Sequence, residues 1–298
     1  MGERPIPRWL GIALLLSIAT TFGANHVSAR IAFDHGASVG TAVAVRSGGT
    51  VLFVLALLLA ARVPLRLAGA TRARALAVGA LIAVQSYCIY SAVARIPVAL
   101  ALLAFNTFPV LLMLISWAAG GERPAARALA AMPVALAGLS LALDVWGQAG
   151  GMAGRWREIG AGVLWASGAA LSFAAALFLI TRWLKDVDGR LRTLYTMLAA
   201  TALMLGAGGL AGDFALPGDA TGWLGLALLT AFYGSAITAL FVLLPRLGAV
   251  NNAVVLNFEP IAVLALAWVA LGQAVAPLQV VGAFVVVGAI MVLGSGRR

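Results

Sequence analysis

The chain has 298 residues, 63% of them apolar and 10% charged, with a mean hydropathy of +1.04 and a net charge of +10. Soluble domains lie near about 45–50% apolar and about 25% charged, so a soluble chain of this composition would expose aggregating patches. Its branched and aromatic content excludes disorder. Its long apolar blocks, without strict alternation, exclude a membrane β-barrel and leave an all-α integral membrane protein.

In chain order, apolar runs between charged or Gly/Pro breaks predict ten membrane spans, at 9–32, 39–60, 73–94, 97–119, 126–146, 160–183, 192–212, 221–244, 251–271 and 276–294. The first follows Arg4 and Arg8 and ends near Val27-Ser28-Ala29, which loosely resembles a signal-peptide cleavage site. Its apolar stretch is too long for a signal peptide, and it reads as a retained helix. Cys88 is alone inside the third span, so no intrachain disulfide can form. Trp9, Trp156 and Trp223 sit at span ends and read as interfacial anchors. Small residues at 206–212 read as a packing face, within one chain or between chains.

The basic excess is scattered, which excludes a nucleic-acid surface. It sorts instead by side. Arg4, Arg8, Arg62, Arg66, Arg72, Arg74, Arg123, Arg127, Arg182, Lys185, Arg190, Arg192, Arg246, Arg297 and Arg298 fall on one side, 15 in all, against Arg95, Arg155 and Arg157 on the other. Arg30 and Arg46 lie within spans. This bias predicts that both termini are cytoplasmic.

The chain also repeats itself. A shift of 151 residues places Asn106 on Asn257, Pro109 on Pro260, Trp117 on Trp268 and Gly121 on Gly272. The same shift pairs Phe22 with Phe173, Thr50 with Thr201 and Arg95 with Arg246. The expected division is a five-span repeat over 1–150 and a second over 151–298. Five is odd, so the second repeat enters the membrane inverted. Loop charges agree. Arg62, Arg66, Arg72 and Arg74 follow the second span, whereas its counterpart carries Asp213 and Asp219. Asp34 and His35 follow the first span, whereas its counterpart carries Arg182, Lys185, Arg190 and Arg192. Two packings of similar halves that exchange roles can expose a central site to each side in turn, which points to a transporter.

The repeated stretch resembles the EamA-type domain: Asn106-Thr107-Phe108-Pro109, then Gly121-Glu122, then a helix through Gly138, and again Asn257-Phe258-Glu259-Pro260, Gly272-Gln273, Gly282 and Gly288. Gln273 stands where the turn usually carries Glu. Two such domains resemble the drug/metabolite transporter superfamily, over nearly the whole chain. Within it the chain is most similar to bacterial inner-membrane exporters of amino acids, the aromatic ones in particular. The resemblance implies a central site built from spans 1, 3, 4, 6, 8 and 9.

Polar groups in hydrocarbon are costly and mark candidate sites. Glu259 is the only acid deep in a span; it would receive a substrate ammonium or carry a proton, or else pair with a buried Arg or stay neutral and hydrogen-bonded. Asn106 and Asn257 would bind backbone or ligand beside Pro109 and Pro260, which read as kinks or hinges. Asn25 and His26 lie late in the first span, and His26 is a candidate for proton coupling. Arg30 reads as snorkelling, and Arg46 as paired or at an interface. Tyr87, Tyr90, Trp165, Ser172 and Tyr233 are candidate cavity residues, with ordinary helix packing as the alternative. Thr238 joins them on the eighth span.

No Walker-type loop is present and no His/Cys/Asp cluster has metal spacing, so neither ATP, a metal nor a cofactor is expected. The expected partners are a small molecule, protons as a candidate coupling ion and the lipid bilayer. An exporter of drugs, nucleobases or other metabolites is the alternative. Phosphorylated compounds would call for more deep Lys or Arg. An intramembrane enzyme would have to use His26 with Ser28 or Ser17, which has no orienting acid in the sequence, or His35 beside Asp34, a weak constellation in a loop.

Overall fold

The computed structural model describes residues 7–93, 95, 96, 98–121, 123, 126–142, 156–212, 214–247, 252–271 and 276–295. They form α1 (Arg8–Asp34), α2 (Val39–Ala60), α3 (Gly69–Val93), α4 (Val98–Phe105), α5 (Phe108–Ala118), α6 (Ala126–Ala142), α7 (Trp156–Trp183), α8 (Gly189–Ala211), α9 (Ala220–Leu247), a 3-10 turn (Ala253–Phe258), α10 (Glu259–Leu271) and α11 (Pro277–Ser295). No strand occurs among the described residues. Among the described residues, seven stretches are long and apolar enough to cross a membrane, and the shorter apolar helices around Leu129–Ala142, Val255–Leu266 and Pro277–Ala289 complete the ten spans. The outward faces are apolar: Leu210, Val269, Leu164 and Phe284 are 93%, 75%, 74% and 73% exposed. That pattern is costly in water and costs nothing in lipid.

Helix ends follow local chemistry. Ser38 accepts a hydrogen bond from the Thr41 N–H and opens α2, and Asp188 does the same for α8 through the Arg190 N–H. Gly212 closes α8 with a φ of +68°, the left-handed conformation glycine adopts freely. α7 begins at Trp156, ahead of its predicted start at 160, because hydropathy falls at the membrane surface while the helix runs on through polar residues. Arg155, Glu122, Gly272, Gln273 and Asp213 lie outside the described residues.

The fourth and ninth spans are broken. α4 stops at Phe105 and α5 starts at Phe108, so Pro109 sits in the first helical turn rather than in mid-helix. There its missing N–H costs nothing. Pro260 likewise follows Glu259 at the start of α10, after the 3-10 turn. The expected kinks are therefore new helix starts. Asn106 supports the first break by donating from Nδ2 to the Leu102 carbonyl at 2.8 Å.

The repeat is visible in the architecture. Gly69 and Ala220, Phe108 and Glu259, and Ala126 and Pro277 open helices at the same 151-residue spacing. Contacts pair in the same way: α1 packs on α9 and α7 on α3, α2 on α9 and α8 on α3, and α1 on α10 and α7 on α5. The pairs α2–α8 and α6–α11 map onto themselves. Thr50 and its counterpart Thr201 each hydrogen-bond the carbonyl four residues earlier, at 2.7 and 2.8 Å. The protein is two inverted five-span repeats around one core. Glycines permit the closest crossings. A Cβ on Gly79 would overlap the Thr196 backbone, and one on Gly282 would overlap Ala142 and Gly138.

Equivalent loops close the two ends of the bundle with different chemistry. At one end His35 Nδ1 lies 2.6 Å from Asp219 Oδ2, Gly218 N–H donates to the His35 carbonyl, and Ser38 N–H donates to the Ala215 carbonyl. His35 thus partners Asp219, not the neighbouring Asp34. The Asp219 carboxyl is held below the usual range by the Gly222 N–H and then by His35. At the other end Tyr195 donates to the Leu65 carbonyl at 3.0 Å over a patch of Val54, Leu58, Leu191 and Leu194.

Candidate functional site

A cavity lies where the two repeats meet. Its walls come from α1, α2, α3, the breaks of the fourth and ninth spans, α7 and α9. Six of these are the spans the family resemblance implies; α2 is an addition. The free volume is about 50 Å³. That is room for a few waters, and too little for a metabolite.

On one wall His26 Nε2 contacts Glu259 Oε1 at 2.7 Å, with both side chains largely buried. Glu259 opens α10, so its carboxylate also sits at a helix N-terminus, where the dipole favours negative charge. Its partner is therefore an imidazole and not the buried Arg that the sequence left open. Asn25, one residue away from His26, is 1% exposed, and its Oδ1 has no hydrogen-bond partner among the described residues.

Arg46 enters from α2. It is 3% exposed, donates from Nη1 to the Tyr90 hydroxyl at 2.9 Å and from Nη2 to Ser86 Oγ at 2.6 Å. Its guanidinium carbon stands 3.9 Å from the Tyr233 ring centroid and 5.1 Å from that of Tyr90. No carboxylate pairs with it among the described residues, and its Nε–H has no acceptor. A deep Arg costs about 2.5–3.5 kcal/mol. Two charge-assisted hydrogen bonds at roughly 1.5–3 kcal/mol each, together with the ring faces, offset that. The cation is therefore sustained without a carboxylate. Gly49 lets α2 lie close to α9 beside this site, because a Cβ there would overlap the Thr230 side chain.

The remaining wall is aromatic. Phe105, Phe108 and Phe173 stack with centroids 4.9–5.7 Å apart, and Phe22 meets Tyr233 edge-on at 6.2 Å.

Of the candidates from sequence, Asn25, His26, Tyr90, Tyr233 and Glu259 line this cavity together. Others lie elsewhere. Tyr87 is 45% exposed and packs edge-on against Trp165 at 5.8 Å, and Arg95 sits over that same Trp165 ring. Ser172 Oγ donates to the Leu81 carbonyl and ties α7 to α3. Thr238 donates to the Gly234 carbonyl within its own helix. Asn106 and Asn257 are fully buried at the two breaks, and neither Nδ2 nor Oδ1 of Asn257 finds a partner among the described residues. Arg30 pairs with Asp34 at 3.0 Å in an exposed position. Ser17 and Ser28 donate to the Ala13 and Ala24 carbonyls of their own helix.

Arg46, Gln85 and the phenylalanine wall were not among the sequence candidates, although all line the cavity. For Arg46 the sequence holds only a partial signal: the adjoining Ser47-Gly48-Gly49-Thr50 are small residues of the kind found at close helix crossings, which does not set the direction of the Arg46 side chain. No groups of three or more His, Cys, Asp or Glu suited to a metal occur among the described residues.

Comparison with known proteins agrees with this architecture. Residues 9–143 and 160–295 each match the EamA-like transporter family. A solved crystal structure is 20% identical over 95% of this chain and 96% of its own, with a TM-score of 0.76, a likeness of fold. No curated protein matches the chain in sequence. With two copies of the domain covering nearly all of its length, the chain belongs to the EamA-like transporter family.

Proposed function

We propose that the protein is a secondary exporter of amino acids or related small metabolites, aromatic and apolar ones foremost, that works by alternating access. The observation that carries this reading is the buried His26–Glu259 contact in the wall of a cavity between two inverted repeats. A carboxylate and an imidazole there offer an ammonium receptor and a proton carrier in one place. The cavity holds too little space for an amino acid, and both ends of the bundle are latched, so loading requires the repeats to move relative to each other. Pro109 and Pro260, at the paired breaks, are the hinges in this reading, and Asn25, Tyr90 and Tyr233 join the substrate contacts.

The repeats divide at 150/151, within the segment 143–155 that lies outside the described residues. The 15-to-3 distribution of Lys and Arg supports cytoplasmic termini, and a bacterial-type inner membrane is the location in this reading. Uncharged nucleobases and drugs fit less well, because they leave Arg46 without an anion.

Counterflow of labelled phenylalanine into preloaded proteoliposomes tests the reading. Saturable exchange of chemically unchanged solute is expected, and its absence for every amino acid tested sinks the proposal. Glu259→Gln should fold, lower exchange at least about tenfold and flatten its pH dependence. Wild-type exchange with a wild-type pH profile in that variant would reduce Glu259 to a structural role.

A further inference from the structure

We infer that Arg46 and Glu259 grip the two ends of one zwitterionic substrate: Arg46 takes the α-carboxylate, Glu259 takes the α-ammonium in place of His26, and the Phe105–Phe108–Phe173 wall takes the side chain. The inference rests on the amino-acid reading above and names how that site selects.

The two charges face one cavity and come from different repeats, Arg46 on α2 and Glu259 at the start of α10. The guanidinium is held rigidly by Tyr90, Ser86 and the Tyr233 face, yet its Nε–H is unused and it has no carboxylate partner among the described residues. A planar fork so fixed matches a carboxylate, which accepts two parallel N–H bonds. Among the described residues, the side-chain partner of Glu259 is His26. A substrate ammonium, with three donors, replaces the single imidazole contact.

Charge balance then sets the class. A zwitterion adds no net charge, whereas a dibasic or dicarboxylic amino acid adds one to a buried site. A phosphate monoester is excluded on the same ground, since one guanidinium beside a carboxylate does not compensate a dianion. Neutral amino acids with apolar or aromatic side chains are what remains.

The experiment uses the full chain in liposomes and reads inhibition of labelled phenylalanine counterflow, with ligand-induced thermal shift in detergent as a second readout. The competitors are L-phenylalanine, its methyl ester, which masks the carboxylate, and 3-phenylpropionate, which lacks the ammonium. In the wild type both partial ligands should compete at least about tenfold more weakly than phenylalanine, the loss of one charge-assisted contact. Arg46→Gln should weaken phenylalanine but not the ester, so that the ester competes at least as well as phenylalanine. Glu259→Gln should do the same for phenylalanine and phenylpropionate. Arg46→Lys, which keeps the charge without the fork, should fall between, and the wild-type series decides the matter if Arg46→Gln does not fold. The inference is overturned if the ester matches phenylalanine on wild-type protein, or if Arg46→Gln weakens both equally, as a merely structural role would. Failure of every amino acid to exchange overturns the reading beneath it as well, whereas the first two outcomes leave that reading standing.

Discussion

The two repeats share a backbone plan and differ in what they present to the cavity. The first supplies Asn25, His26, Arg46, Gln85 and Tyr90. Their counterparts at the 151-residue spacing are Ala176, Leu177, Met197, Ala236 and Phe241, all apolar. The second supplies Tyr233 and Glu259, whose counterparts are Ile82 and Phe108. Helix starts, breaks and packing partners are duplicated, and so is one aromatic pair of the lining, Phe22 and Phe173, while the polar chemistry is not. In the transport cycle proposed above, the duplicated interfaces are those along which the halves would exchange packings, and the polar cavity residues would carry no such constraint, because one substrate would occupy one site.

The sharpest way to break this comparison is to symmetrise it. Phe108→Glu puts an acid at the counterpart of Glu259, but among Phe105 and Phe173 with no imidazole opposite. The unpaired carboxylate should cost about 3 kcal/mol, read as a large fall in Tm in detergent or loss of folded protein. An unchanged Tm would mean that the two walls are chemically equivalent after all.

A smaller effect separates the two breaks. Asn106→Ala removes the bond to the Leu102 carbonyl and should cost about 1 kcal/mol. Asn257→Ala removes an amide with no partner among the described residues and should leave Tm unchanged or raised. Equal losses in the two variants would show that the breaks are held in the same way.

The smallest effects separate the two ends. Tyr195→Phe leaves the Leu65 carbonyl unpaired and should lower Tm modestly at every pH between 4 and 8. Asp219→Asn should act less and only above the carboxylate range. Its carboxyl is held low in the folded protein, so its contribution is present at neutral pH and is lost as the pH falls through the depressed value. A pH-independent Asp219→Asn effect would remove the ionic account of that end.

Much of this was legible in the sequence, for a definite reason. A bilayer demands long apolar runs with internally satisfied backbone, so spans can be counted from composition. A repeat that keeps Asn, Pro and Trp at one offset reveals the duplication, and odd span number makes it inverted. Glu259 stood out because so few charges lie deep in the chain. What the sequence could not decide was which way side chains point. In a span apolar on every face, periodicity does not separate lipid-facing from cavity-facing positions. Tyr87 and Tyr90 are three residues apart, yet one is 45% exposed and the other 2%. Only tertiary packing turned Arg46 inward, by bringing α2 close to α9 through Gly49, and only packing set His26 against Glu259, 233 residues later in the chain. The amino-acid sequence determined the number of spans, their inversion and the scarcity of buried charge. The tertiary structure decided which of those charges meet, because distant residues become neighbours only when helices pack.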